Sequence, residues 1–125
     1  MRKKYMEMTY FDYMGGKIEE RSKGFCKLSL VVEDQHLNGG GVVHGGLLTS
    51  LADTAMGIAA EDSIEGSCAT LDMNYYFLRA VYKGDCVETR GEIVKIGKST
   101  MFAKAELFVG EKRVGYATAN FFRFE

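Results

Sequence analysis

The stretch NGGGVVHGGLLTSLADTAMGIAA, residues 38–60, gathers an amide at Asn38, an imidazole at His44, a glycine pair at Gly45 and Gly46, and one carboxylate at Asp53. Each type has a chemical use. Backbone N–H groups at the start of a helix have no intrahelical partner and carry partial positive charge, and glycines there let a ligand oxygen come close. A carboxylate activates water as a general base or attacks an electrophile itself. The amide and the imidazole can orient or donate around a reacting centre. N–H donors for a carbonyl oxygen that gains charge, together with a carboxylate, are the parts of acyl-transfer chemistry.

For these groups to act, the chain must build a helix directly behind the glycines. At about 100° per residue, Leu47, Leu48, Leu51, Ala55, Ile58 and Ala59 fall on one apolar face, which predicts a helix over 45–60. Gly46, Thr49, Ser50, Asp53 and Gly57 fall on the opposite strip. A solvated face would carry Lys, Glu and Arg. This strip is small instead, so Asp53 lies in a groove that something else approaches.

After the helix the hydrophobic period switches to two. Residues 69–80, 85–96, 99–109 and 113–124 are four strand candidates. In the third, Met101, Ala103, Ala105, Leu107 and Val109 face one way while Thr100, Lys104 and Glu106 face the other, the pattern of a half-buried antiparallel strand. The segments KIGKST and VGEKRV supply tight turns between the last three candidates. Ahead of the helix, KIEERSKGFCKLSLVVED reads as a hairpin turning at 22–24. The expected architecture is α+β: one long helix wrapped by an antiparallel sheet of five or six strands, the four after the helix forming a meander.

The frame around these elements is plain. A chain of 125 residues, 46% hydrophobic, has the size of one domain, expected over 1–125. Sixteen Lys and Arg against 17 Asp and Glu, interspersed, give a net charge of −1 and no sign of a nucleic-acid partner. The start, MRKKYMEMTYFDYMGG, has a basic head without an apolar run of signal-peptide length, and no segment approaches a membrane span; a cytoplasmic location is expected. Cys26, Cys68 and Cys86 are an odd number at wide spacing, as expected for reduced thiols.

The run HLNGGGVVHGGLLTSLADTAMGIAA resembles the signature of the hotdog-fold thioesterases of the phenylacetate-degradation (PaaI-like) type, and TLDMNYYFLRAVYKGD resembles the strand that follows it. The resemblance covers the chain from Gly16 onward. It implies a hotdog fold and hydrolysis of an acyl-coenzyme A thioester without a cofactor. By position it implies Asp53 as the catalytic acid group, the Gly45 N–H as the group that polarises the thioester carbonyl, and Asn38 and His44 as polar groups around the centre. Thr70 falls where a hydroxyl helps hold the attacking water. Gly39 and Gly40 stand where a proline and a polar residue are common, and Ala80 where a proline often follows the Leu-Arg pair.

Those roles raise a geometric demand. Gly45 and Asp53 are eight positions apart, about 12 Å of helical rise, too far for both to contact one carbonyl. A symmetric homodimer, or a dimer of dimers, with antiparallel helices would bring the Asp53 of one chain to the Gly45 of another.

Other patterns are weaker. His36 and His44 with Asp34 make a poor metal-ligand set, and no metal is expected. GEIVKIGKST puts five residues between Gly91 and Gly97 where a phosphate loop needs four, and its flanks read as strands. Nothing in the sequence lowers the pKa of Cys68 toward a nucleophile. Tyr75, Tyr76 and Phe77 are core or sheet aromatics, with Tyr75 and Tyr76 as candidate linings of an acyl pocket alongside Gly46. Lys98, with Lys95, Arg90 and Arg79, is a candidate contact for coenzyme A phosphates. The rival functions are a non-catalytic acyl-CoA-binding protein and a hotdog hydratase or dehydratase.

Overall fold

Alternating apolar residues bury one side of each strand, and a sheet with one buried side needs something to cover it; here a single helix does so. The computed structural model describes residues 9–124. The elements are α1 (Tyr10–Tyr13), β1 (Lys17–Ser22), β2 (Phe25–Val31), a 3-10 turn (Asp34–His36), α2 (Gly45–Glu61), β3 (Ser67–Phe77), β4 (Cys86–Ile96), β5 (Thr100–Val109) and β6 (Lys112–Phe124). The basic head read from the first eight residues lies outside the described residues.

The six strands form one antiparallel sheet in the order β1-β2-β4-β5-β6-β3. The hairpin at 22–24 and the two tight turns occur as expected, and α2 runs one residue past the expected end. The four-strand meander does not occur. Of the four strands after α2, only β4, β5 and β6 are neighbours in sequence order, while β3 pairs with β6 at the far edge. The cause lies in residues 78–85. Val81 is buried and accepts a hydrogen bond from the Val43 N–H, and Val32 exchanges two backbone bonds with Gly84 and Asp85. The chain leaving β3 is thus carried past the start of α2 and delivered beside the end of β2, where β4 begins.

The inner faces of β4, β5 and β6 bury Val87, Met101, Ala103, Ala105, Leu107, Ala117, Ala119 and Phe121 against Leu47, Leu48, Leu51, Ala52, Met56 and Ala60 of α2. The buried arc of the helix is wider than expected on one side, taking in Ala52, Met56 and Ala60, and Ile58 is only half-buried. The sheet curls round the helix rather than lying flat against it, so more than one stripe is covered. The small strip of Gly46, Thr49, Ser50, Asp53 and Gly57 is half-buried throughout. Helix α1 adds to the expected elements: four residues are too few for periodicity to reveal, although Thr9 and Asp12 form a reciprocal capping box that marks it. Cys26 is fully buried, and burial, partly offset by Arg21, pushes its thiol up to about 11. It is a structural, unreactive thiol.

Helix and sheet come into tight contact at Gly91 on β4. A Cβ there would stand 2.6 Å from the Ala55 carbonyl carbon and 2.7 Å from the Met56 nitrogen, both helix backbone. No side-chain rotation relieves that overlap, so any residue larger than glycine must push α2 off the sheet. Gly91→Ala is expected to cost about 1–3 kcal/mol, the usual toll of overpacking, read as a lower urea midpoint at fixed protein concentration.

Candidate active site

The loop that enters α2 is built by its own side chains. The Asn38 side-chain oxygen accepts from the Gly40 N–H at 2.8 Å and the Val42 N–H at 3.3 Å, and its backbone N–H donates to the Val42 carbonyl at 2.7 Å. The three glycines are thereby held in a closed turn, with Gly41 at φ +88° as a residue without a Cβ allows. The Asn38 NH₂ group has no acceptor among the described residues.

His36 anchors the loop from below. It is buried, its Nδ1 accepts from the Glu33 N–H at 2.9 Å, its Nε2 bonds the Met14 carbonyl at 2.8 Å, and its own carbonyl accepts from the His44 N–H at 2.9 Å. With Nδ1 accepting, the ring proton is on Nε2, and neither nitrogen is left for a metal. Among the described residues no group of three or more His, Cys, Asp or Glu side chains gathers as a metal site.

His44 caps α2: its Nδ1 accepts from the Gly46 N–H at 2.7 Å. That bond explains the second glycine, because a Cβ on Gly46 would meet the His44 ring at 2.9 Å. The Gly46 N–H is therefore occupied, while the Gly45 N–H has no acceptor among the described residues. One open donor remains at the head of a 17-residue helix.

Asp53 lies two turns further along, half-buried, and the Thr70 hydroxyl of β3 donates to its Oδ1 at 2.7 Å. One carboxylate oxygen is fixed and the other is open. The pair lines a cleft of about 210 Å³ between α2 and β3, together with Gly57, Ile58, Cys68 and Phe121. Gly45 borders a different cleft, of about 330 Å³, with Val43, Leu48, Phe77, Arg79 and Val81. Within one chain the two clefts share no residue.

The structure thus joins Asp53 to Thr70, and His44 to Gly45 and Gly46, but keeps the two groups apart. Tyr75 points toward the helix side; its hydroxyl is buried without a partner, and burial pushes that phenol up, so it stays protonated. Tyr76, one residue on, faces the opposite side of the sheet, 55% exposed and beside Tyr116. Lys98 is in the β4–β5 turn and borders neither cleft; of the four cations considered, only Arg79 does. Phe77 is the residue that sequence reasoning undervalues. Its ring lies against Gly45, and the signal is present in the sequence, since Met73, Tyr75 and Phe77 share one face by period two.

The sequence profile of the Thioesterase superfamily matches residues 40–116. The chain belongs to the thioesterase superfamily. The matched span contains Gly45, Asp53, Thr70 and Phe77, and every lining residue of the two clefts except Phe121. Over 90 residues the chain is 34% identical to the acyl-coenzyme A thioesterase PaaI of Escherichia coli, 70% of this chain and 61% of that one. An Archaeoglobus fulgidus relative is 29% identical over 96 residues, 62% of its length. The chain spans less than two-thirds of either relative. In three dimensions it superposes with a TM-score of 0.88 on the PaaI protein of the E. coli phenylacetic acid degradation operon, 28% identical, covering 92% of this chain and 83% of that one. The TT0310 protein of Thermus thermophilus gives 0.90 at 28% identity, covering 95% of this chain and all of that one. The fold is the hotdog fold.

Removing the charge of Asp53 while keeping its shape separates chemistry from structure. Asp53→Asn is expected to lower thioesterase turnover by about two to four orders of magnitude with an unchanged unfolding midpoint. Thr70→Val, which removes one hydrogen bond to a charged group, is expected to cost about 10- to 100-fold. Steady-state kinetics beside urea unfolding check both; an Asp53→Asn variant that kept most of its activity would assign Asp53 a structural role.

Proposed function

We propose that this chain hydrolyses acyl-coenzyme A thioesters in the cytoplasm, working as a homodimer, or a dimer of dimers, whose active sites are shared between subunits. The observation that carries the proposal is the open Gly45 N–H on one cleft and the Thr70-held Asp53 carboxylate on another, separated by eight residues of rigid helix. Neither cleft alone holds both an oxyanion donor and a carboxylate.

Strand β3 supplies a means of joining them. It is 11 residues long and ends the sheet, so one side of its backbone is unpaired among the described residues, and Leu71 and Phe77 within it and Leu78 just past it stand 57%, 60% and 51% exposed. A long apolar edge is unstable in isolation and favours pairing with another strand. Antiparallel pairing of β3 with the β3 of a second copy, about its middle, sets the Phe77 end of one against the Thr70 end of the other. The two helices then run antiparallel, and the small strip around Asp53 leaves room for the neighbouring helix start.

In that arrangement the thioester carbonyl oxygen accepts from the Gly45 N–H of one chain, in the field of the α2 N-terminus. The partner subunit's Asp53 removes a proton from a water whose oxygen attacks the carbonyl carbon, or attacks that carbon itself, giving on loss of the thiolate a mixed anhydride that water then hydrolyses. The tetrahedral oxyanion collapses, the C–S bond breaks, and coenzyme A leaves as a thiolate that takes up a proton; water supplies the second oxygen of the acid product. His44 holds the loop through its cap, and Asn38 presents its free NH₂ to the substrate.

Complementation tests the shared site. An Asp53→Ala chain and a Gly45→Pro chain should each be inactive in a thiol-release assay. Proline suits the first helical position, and the extended His44 before it, φ −64° and ψ 131°, suits a following proline. On co-expression, random pairing makes half the dimers mixed, each with one intact site, so about a quarter of full activity should return. Mixed dimers as inactive as the single variants would show that Asp53 works with its own Gly45.

A further inference from the structure

Gly115, Tyr75 and Phe77 on the inner side of the sheet and Gly45 at the start of α2 form a stack whose two rings have no part in the hydrolysis itself. At one end is Gly115 on β6, where a Cβ would stand 2.6 Å from Tyr75 Cζ. Tyr75 packs on Phe77 with ring centroids 4.5 Å apart at 52°. At the other end a Cβ on Gly45 would meet the Phe77 ring at 3.0 and 3.1 Å. Two rings thus fill the space between two glycines, and the outer ring occupies the volume where a side chain at position 45 would project. Tyr75 is held in this stack at the expense of its hydroxyl, which is buried with no partner. An orphaned buried hydroxyl is a penalty that the packing of this ring must outweigh.

The far side of the Phe77 ring is open, and with Leu48, Leu78 and Val81 it walls the cleft of about 330 Å³ at the Gly45 N–H. In a thioester whose carbonyl oxygen accepts from that N–H, the α-carbon is two bonds from the oxygen, and with the sulfur turned away from the ring that carbon meets it. We infer that Phe77 is a specificity-determining residue of this site, limiting the bulk an acyl group carries on the carbon next to its carbonyl. The inference rests on the thioesterase reading and deepens it: the favoured substrates are acyl thioesters with an unbranched α-carbon. Phe77 acts by exclusion, so its removal relaxes selectivity instead of abolishing turnover.

The test compares kcat/KM for butyryl-CoA and isobutyryl-CoA, which differ only by branching at that carbon. In Phe77→Ala the isobutyryl-to-butyryl ratio is expected to rise about tenfold or more, the usual worth of one methyl group against a pocket wall. Phe77→Leu, which keeps bulk without the flat ring, should fall between. Gly45→Ala gives a second route, since it keeps the N–H but drives a methyl group against the ring. Its penalty on butyryl-CoA should shrink in the Phe77→Ala background, where nothing occupies that space. Unchanged ratios in Phe77→Ala and Phe77→Leu, with hydrolysis continuing and unfolding midpoints unmoved, would overturn the inference and leave the thioesterase reading intact. Absence of hydrolysis of either substrate by the unaltered chain would overturn both.

Discussion

The spacing of two groups on one rigid helix governs the rest of the molecule. A helix rises about 1.5 Å per residue and does not compress, so the amide at Gly45 and the carboxylate at Asp53 are fixed about 12 Å apart by their numbering alone. A thioester carbonyl spans far less than that. Either one of the two groups is idle, or the reaction occurs where the start of one helix meets the middle of another. The small residues between and beside them, Gly46, Thr49, Ser50 and Gly57, make the second arrangement sterically feasible, and the unpaired edge of β3 provides a backbone that can align two copies.

Around that constraint, the polar groups of the loop are satisfied in a way that leaves one donor over. His36 uses both ring nitrogens beneath the loop, Asn38 closes the glycine turn with its oxygen, and His44 takes the Gly46 N–H. Each bond fixes backbone that would otherwise be free, so the Gly45 N–H is presented by a rigid frame rather than by a flexible glycine run. An oxyanion donor acts through such preorganisation: it is already aimed when charge develops and needs no reorientation. On the other cleft, Thr70 does the same for Asp53, holding one carboxylate oxygen so that the second faces outward.

Much of this is legible in the sequence because it depends on local order. The period-two runs reveal every strand of the sheet, the apolar face and the glycine pair mark α2 to within a residue of its end, and the small strip singles out Asp53. What is not legible depends on contacts distant in sequence. The position of β3 beside β6 is decided by Val81 and by the bonds between Val32 and residues 84–85, which no periodicity encodes. The tight seat of α2 on Gly91 pairs residues 36 positions apart at Ala55, and a glycine in a strand does not say what approaches it. Likewise period two sets Tyr75 and Phe77 on one face and Tyr76 on the other, but only the fold decides that the first pair faces the helix side.

The most direct test is a crystal structure with a ketone analogue of an acyl-CoA, in which a methylene replaces the thioester sulfur so that the carbonyl is kept but cannot be cleaved. The account predicts the carbonyl oxygen at hydrogen-bond distance, about 2.9 Å, from the Gly45 nitrogen of one chain. It also predicts the carbonyl carbon facing the partner subunit's Asp53, whose Oδ1 still accepts from its own Thr70. A carbonyl bound against the Asp53 of the chain that supplies Gly45, or one held away from the Gly45 N–H altogether, would contradict it.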